Sequence, residues 1–208
     1  MEDGLFTAVD PLPRGPHQLA REEVEASQRE RLIAAFTALL AERGYAAVTI
    51  GDLAKTAGVS RGAFYAQFED KEACLMAAYD RFASNLMAAI TAAPEDAGFH
   101  EFVEAAIDGY LGALEREPVA ARAFLVEMDG AGPAARQRRR EGIRAFAAML
   151  AHRHGLIRER EPRLGPLPES VFLGLAMGVR ELAQDLLEQE AEPRLTDLGP
   201  DVMTWVVA

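Results

Sequence analysis

Apolar residues recur at three- and four-residue spacing along almost the whole chain beyond residue 21, and no stretch sustains the alternation of a half-buried strand. That pattern restricts the fold to an all-α architecture. With 208 residues the chain is long enough to bury a real core, as one ordinary domain or a small module joined to a larger one. Its single cysteine, Cys74, has no intrachain partner, which removes any disulfide framework and points to a reducing compartment. The longest mostly apolar run, around Leu32 to Ala41, falls far short of the roughly 18 residues a spanning helix needs. Glu2 and Asp3 stand where a secretory signal would be basic, and Pro11, Pro13, Gly15 and Pro16 interrupt any apolar run behind them. A cytoplasmic location without membrane association is expected.

Punctuation residues divide the pattern into elements. The closely spaced prolines make residues 1–21 a loose arm. A first helix is expected from about Glu22 to Arg43, with Leu32, Ile33, Phe36, Leu39 and Leu40 on one face and Gly44 as its stop. Thr49 and Asp52 form a capping-box pattern for a short second helix, which Gly58 breaks. Ser60 is placed to cap a short third helix ending near Gln67, and Asp70 a longer fourth from Lys71 to about Thr91. Further helices are expected at Phe99 to Arg116, Pro118 to Met128, Pro133 to His154, Pro168 to Glu190 and Asp197 to Val207.

The segment Thr49 to Leu75, TIGDLAKTAGVSRGAFYAQFEDKEACL, carries the functional signal. Two short helices around a turn at Ala57 to Val59 make a helix-turn-helix. Ala54 is small enough for the helices to approach, and Gly58 can take the positive φ of a tight turn. Leu53, Val59, Phe64 and Phe68 are spaced to bury against the first helix, leaving Arg61, Gly62, Tyr65 and Gln67 to face outward. The second helix of such a unit enters the major groove of DNA.

With the first helix ending in Gly44-Tyr45, followed by T-I-x-D-L-A-x-x-A-G-V-S-x-G-x-F-Y-x-x-F-x-x-K-E-x-L, the chain resembles the DNA-binding domain of TetR-family transcriptional regulators over about residues 28–86. The resemblance implies a three-helix DNA-binding domain at 22–70 and an α-helical ligand-binding and dimerisation domain at 71–208. It places Ser60, Arg61, Gly62 and Ala63 at the groove edge, Tyr65 and Lys71 on phosphates, and Gln67 on a base or phosphate. Thr49 would offer its hydroxyl or amide to a phosphate. The chemistry is compatible: arginine can bind guanine bidentately, glutamine can pair with adenine, and lysine supplies a point charge. Ala66-Gln67 departs from relatives that carry basic, aromatic or histidine side chains there, which weakens the electrostatic hold.

The second half follows the family only in plan. The family plan makes Phe102, Tyr110, Phe124, Met128, Phe146, Met149, Phe172 and Met177 candidates for an apolar ligand pocket, although ordinary core is the favoured reading of each residue taken alone. Gly174 and Gly178, with Leu175, Val179, Leu182 and Leu186, make a small-residue and apolar stripe on the helix through which the family's plan implies homodimerisation. A two-fold dimer would read a palindromic operator in double-stranded DNA. The arginines at 136, 138, 139, 140 and 144 are expected to pair with carboxylates. His152 and His154 point in different directions on one helix and make a poor chelate, and Cys74 is expected as a small buried residue.

The expected function is therefore a DNA-binding transcriptional regulator, a repressor released by a small-molecule effector. The alternative is a small-molecule carrier or an enzyme with a vestigial helix-turn-helix. No Gly-rich phosphate loop, metal quartet or nucleophile–base set stands out, so no catalytic residue, metal ligand or cofactor is assigned. The net charge of −11 argues against nonspecific coating of nucleic acid. Locally the balance differs: residues 31–71 carry +1, and between Leu53 and Phe68 the charges are Lys55 and Arg61.

Overall fold

The computed structural model describes residues 21–207, so residues 1–20 of the arm expected at 1–21 lie outside the described residues, while Arg21 already opens the first helix. Among the described residues all regular structure is helical. Helix α1 (Arg21–Ala47) buries Leu32, Ile33, Phe36, Leu39 and Leu40. The helical path breaks at Gly44, at φ 69° and ψ 163°, and one further turn follows. The expected stop is thus a sharp kink.

Helix α2 (Ile50–Thr56) begins with a complete capping box and α3 (Arg61–Gln67) with Ser60, whose hydroxyl accepts from the Ala63 amide at 3.0 Å. Between them Gly58 has φ 64°, and the Val59 amide closes the turn on the Ala54 carbonyl at 2.9 Å. Leu53, Ala54, Phe64 and Phe68 are buried, and Val59 is half-buried against the same core. Helices α2 and α3 pack on α1 through these side chains.

Helix α4 (Lys71–Ile90), capped by Asp70, packs on both α1 and α5 (Phe99–Arg116). The expected helix at 118–128 is a composite. A single α turn, α6 (Pro118–Ala121), passes into a π-helical turn (Arg122–Val126) and then a 3₁₀ turn (Glu127–Ala131) ended by Gly132 at φ 105°. Its inward residues Phe124, Leu125 and Met128 are buried, and one long-range donor holds a carbonyl of the segment: Arg180 reaches the Leu125 oxygen at 2.7 Å. Apolar spacing in so short a run cannot register that change of helix type. The segment 118–131 packs against α1, so the two halves share one continuous core.

Helix α7 (Pro133–Arg160) continues a turn and a half beyond its expected end at His154. A glycine inside a helix costs only about 1 kcal/mol. Beyond Gly155, fully buried Ile157 and the bonds from Arg160 to the carbonyls of Glu95 (3.2 Å) and Ala97 (3.3 Å) outweigh that. Helix α8 (Glu169–Gln189) lies along α7. A 3₁₀ turn (Leu195–Leu198) then leads into α9 (Gly199–Val207), which packs on α5.

Candidate nucleic-acid interface and ligand cavity

The recognition surface is built on two capped helix starts. At α2, Asp52 accepts from both the amide (3.1 Å) and the hydroxyl (2.6 Å) of Thr49, while the Thr49 oxygen accepts from the Asp52 amide at 3.1 Å. The Thr49 hydroxyl bond, followed by its amide bond, holds the Asp52 carboxyl below its usual range. Both polar groups of Thr49 that the sequence reading offered to a phosphate are therefore engaged in the cap.

Arg61, Gly62 and Tyr65 are exposed on α3, with Ala63 and Gln67 half-exposed beside them. Tyr65 is 57% exposed, its ring set edge-on to buried Phe64 at 5.5 Å. The Arg61 guanidinium lies back over α2: a Cβ on Gly51 would stand 2.7 Å from its Nη2. Gly51 thereby leaves room for a cation between the two helix starts. Lys71 is turned inward. Its Nζ donates to the carbonyls of Tyr45 and Val48, each at 2.9 Å, and sits 3.9 Å from the centroid of the Tyr45 ring. Burial lowers its proton affinity. Two arginines of α1, not singled out from the sequence, brace the motif from behind. Arg31 donates to the Ala57 carbonyl at 3.0 Å, and Arg29 to the Gln67 carbonyl at 3.3 Å while stacking over Phe68. Their signal in the sequence was only a basic residue amid acidic ones on α1.

In the second half, α4, α5, α7, α8 and Val206 of α9 surround a cavity of about 530 Å³. That lies within the roughly 300–1,000 Å³ typical of small-molecule sites. Phe102, Tyr110, Phe124 and Phe146 line it, with Tyr110 and Phe146 stacked at 6.3 Å. The other pocket candidates fall outside the lining. Met128 is buried within the 3₁₀ turn, Met149 is half-buried, and Phe172 packs on His154 at 5.4 Å. Met177 is 54% exposed, because it lies two residues from both Leu175 and Val179, which do face the cavity.

The same geometry divides the proposed dimer stripe. Leu175 and Val179 line the cavity instead of the outer face, and Gly178 is covered by the Trp205 ring of the same chain. Gly174 has open space where a side chain would be, Leu182 is 43% exposed and Leu186 is half-buried. The outer face of α8 instead presents Val171, Met177 and Leu182 beside exposed Trp205.

The lining also includes the polar groups of Tyr79 and Arg180, which the sequence left unassigned, and of Arg138 and Arg139 from the arginine cluster. They come from three helices far apart in the chain, and no local spacing links them. Within the arginine cluster, Arg138 binds Asp80 at 2.6 Å and Arg139 binds Asp129 at 2.9 Å, whereas Arg136 donates to the Asp129 carbonyl at 3.2 Å. Cys74 is fully buried, and desolvation pushes its thiol up to about 12. No group of His, Cys, Asp and Glu able to hold a metal ion occurs among the described residues, and no described helix is long and apolar enough to cross a membrane.

Fold and recognition surface together define a helix-turn-helix DNA-binding regulator with an appended helical domain. Residues 32–78 match the model for bacterial regulatory proteins of the tetR family. The helix-turn-helix segment of the chain is thus of the tetR-family type. It is 42% identical over 55 residues to YerO, an uncharacterised HTH-type transcriptional regulator of Bacillus subtilis; the match spans 26% of this chain and 19% of that protein. Among solved structures, the fatty acid degradation regulator FadR from Bacillus halodurans aligns with a TM-score of 0.75 at 18% identity, over 87% of this chain and 95% of that one. FadR from Bacillus subtilis, solved in complex with stearoyl-CoA, aligns with a TM-score of 0.73 at 20% identity, over 86% and 97%. At these identities the structural likeness is one of fold.

Proposed function

We propose that this protein is a transcriptional repressor that binds a palindromic operator as a homodimer through α3 and is released when a small amphipathic effector enters the cavity. One observation carries the reading. Helix α4 joins the two sites, since Lys71 at its start is fastened to the α1–α2 junction while Phe82, Leu86, Met87 and Ile90 near its end line the cavity. A ligand that shifts α4 acts on the spacing of paired recognition helices. A coupling of roughly 1–3 kcal/mol changes operator affinity some 5- to 150-fold. The Bacillus subtilis FadR complex with stearoyl-CoA supports an effector with a long apolar portion. The expected homodimer uses the outer face of α8, where Val171, Met177 and Leu182 are exposed. Intact caps, the Gly58 turn and exposed Arg61 and Tyr65 favour a working DNA reader over a carrier or enzyme with a vestigial motif.

Selection of bound DNA from a random pool tests this. A recovered inverted repeat is the expected result, and absence of enrichment overturns the reading. In the same assay Arg61→Ala should cost about 1–3 kcal/mol and relax one operator position. An unchanged selected sequence would exclude base readout by Arg61.

A further inference from the structure

The three arginines of the cavity lining are not equivalent. Arg138 is held by Asp80 at 2.6 Å and by Glu141 at 3.5 Å, and Arg139 by Asp129 at 2.9 Å. Arg180, only 7% exposed, spends two of its five N–H donors on neutral acceptors, Gln184 Oε1 at 2.8 Å and the Leu125 carbonyl at 2.7 Å. The carboxylate it meets within 4 Å, among the described residues, is Glu181 at 3.6 Å, whose side chain is 68% exposed. Solvent screens such a partner, which offsets little of a buried charge. Burial, then the charge of Arg139, lowers the proton affinity of Arg180, as expected of a cation short of a counter-ion.

The same lining holds a further donor. The Tyr110 hydroxyl, in the same cavity wall, makes no hydrogen bond among the described residues. Burial raises its pKa, so the phenol keeps its proton and is available to donate. The lining also holds Tyr79, Asp80, Ser84 and Glu141, the two carboxylates being those that pair with Arg138, and its apolar part includes Phe102, Ile107, Phe146 and Val179.

Granting that this cavity holds the effector, we infer that the effector is an amphipathic monocarboxylate, its carboxylate on Arg180 and Tyr110 and its apolar body along the wall of α5 and α7. A single negative charge fits because Arg138 and Arg139 already have carboxylate partners. The planar guanidinium fork suits a carboxylate, and the phenol adds a third donor. The volume of about 530 Å³ admits roughly 18 non-hydrogen atoms at the ~30 Å³ each that a liquid water occupies.

Calorimetric titration of the full chain with tetradecanoate, its methyl ester and tetradecanol tests this, because the three share an apolar body and differ in charge. The acid should bind at least about tenfold more tightly than the ester or the alcohol, the scale of a charge-assisted hydrogen bond. In Arg180→Gln the ester should still bind and the preference for the acid should vanish. In Tyr110→Phe, which removes one oxygen, acid binding should fall a few-fold with the ester unchanged. If Arg180→Gln does not fold, the wild-type ratio and Tyr110→Phe decide alone. Equal affinity for acid and ester, or no binding of the acid, overturns the inference. A gel shift on the selected operator separates this from the regulator reading: selective acid binding without DNA release keeps the carboxylate site and removes its role as the effector site.

Discussion

The Lys71 ammonium stands over the Tyr45 ring, 3.9 Å from its centroid, and donates to the Tyr45 carbonyl at 2.9 Å. With a further bond to Val48, it closes the kink between α1 and α2 around the first residue of α4. Its foremost contribution is thus to hold the reading head in place. Lys71→Met should lower stability by about 1–3 kcal/mol, the usual range for bonds from a charged donor. Urea denaturation measures that. The salt dependence of operator binding should flatten by clearly less than the roughly 0.9 in log–log slope expected for one lost phosphate contact. A full loss of that slope with unchanged stability would place the ammonium on DNA instead.

At Gly109, α5 lies directly against the backbone of α4. A Cβ there would collide with the Ala89 carbonyl, which is backbone and cannot swing aside. Gly109→Ala should therefore destabilise the protein by about 1–3 kcal/mol through overpacking. Thermal denaturation reads the loss, and a melting temperature equal to wild type would show that the crossing yields.

His154 is buried between the rings of Phe99 and Phe172 at 5.7 and 5.4 Å. Burial, then the charge of Arg158, lowers its pKa below the ordinary value. The unfolded ring, with a pKa of about 6.5, takes up its proton first as pH falls, so the unfolded state binds more protons below that pH and stability declines. Above about 6.5 the contribution is constant. Stability measured by denaturant titration between pH 8 and 5 should fall less steeply in His154→Leu than in wild type, in a window set by ~6.5 at its upper edge. Parallel profiles would refute the buried neutral ring.

The outer face of α8 carries the dimer proposal. Leu182, 43% exposed, touches neither cavity nor core strongly, so Leu182→Glu should leave the monomer folded. Charge is disfavoured at the centre of an interface. Light scattering should show the variant shifted from dimer to monomer, with association weakened by an order of magnitude or more. A dimer as tight as wild type would move the interface elsewhere.

Much of this protein was legible before any coordinates. Helical spacing gave the all-α class, and the caps at Thr49, Ser60 and Asp70, with the breaks at Gly44 and Gly58, bound the helix-turn-helix to within a residue or two. These are local features: a cap acts three residues away, and a positive φ belongs to one residue. For the same reason the composite turn at 118–131 escaped, because its form depends on Arg180 reaching it across 55 residues.

The amino-acid sequence by itself determined the helical class, the recognition motif and the outward face of α3, since each follows from neighbours along the chain. Tertiary structure alone decided which candidate lysine or threonine already has partners, and which face of α8 looks inward. Leu175 and Val179 line the cavity while Met177 meets solvent, a difference fixed by where α4, α5 and α7 lie rather than by the composition of α8. Only packing could bring Arg180 and Tyr110 to one cavity, because burial is a property of a surrounding, and a linear sequence specifies surroundings only once it has folded.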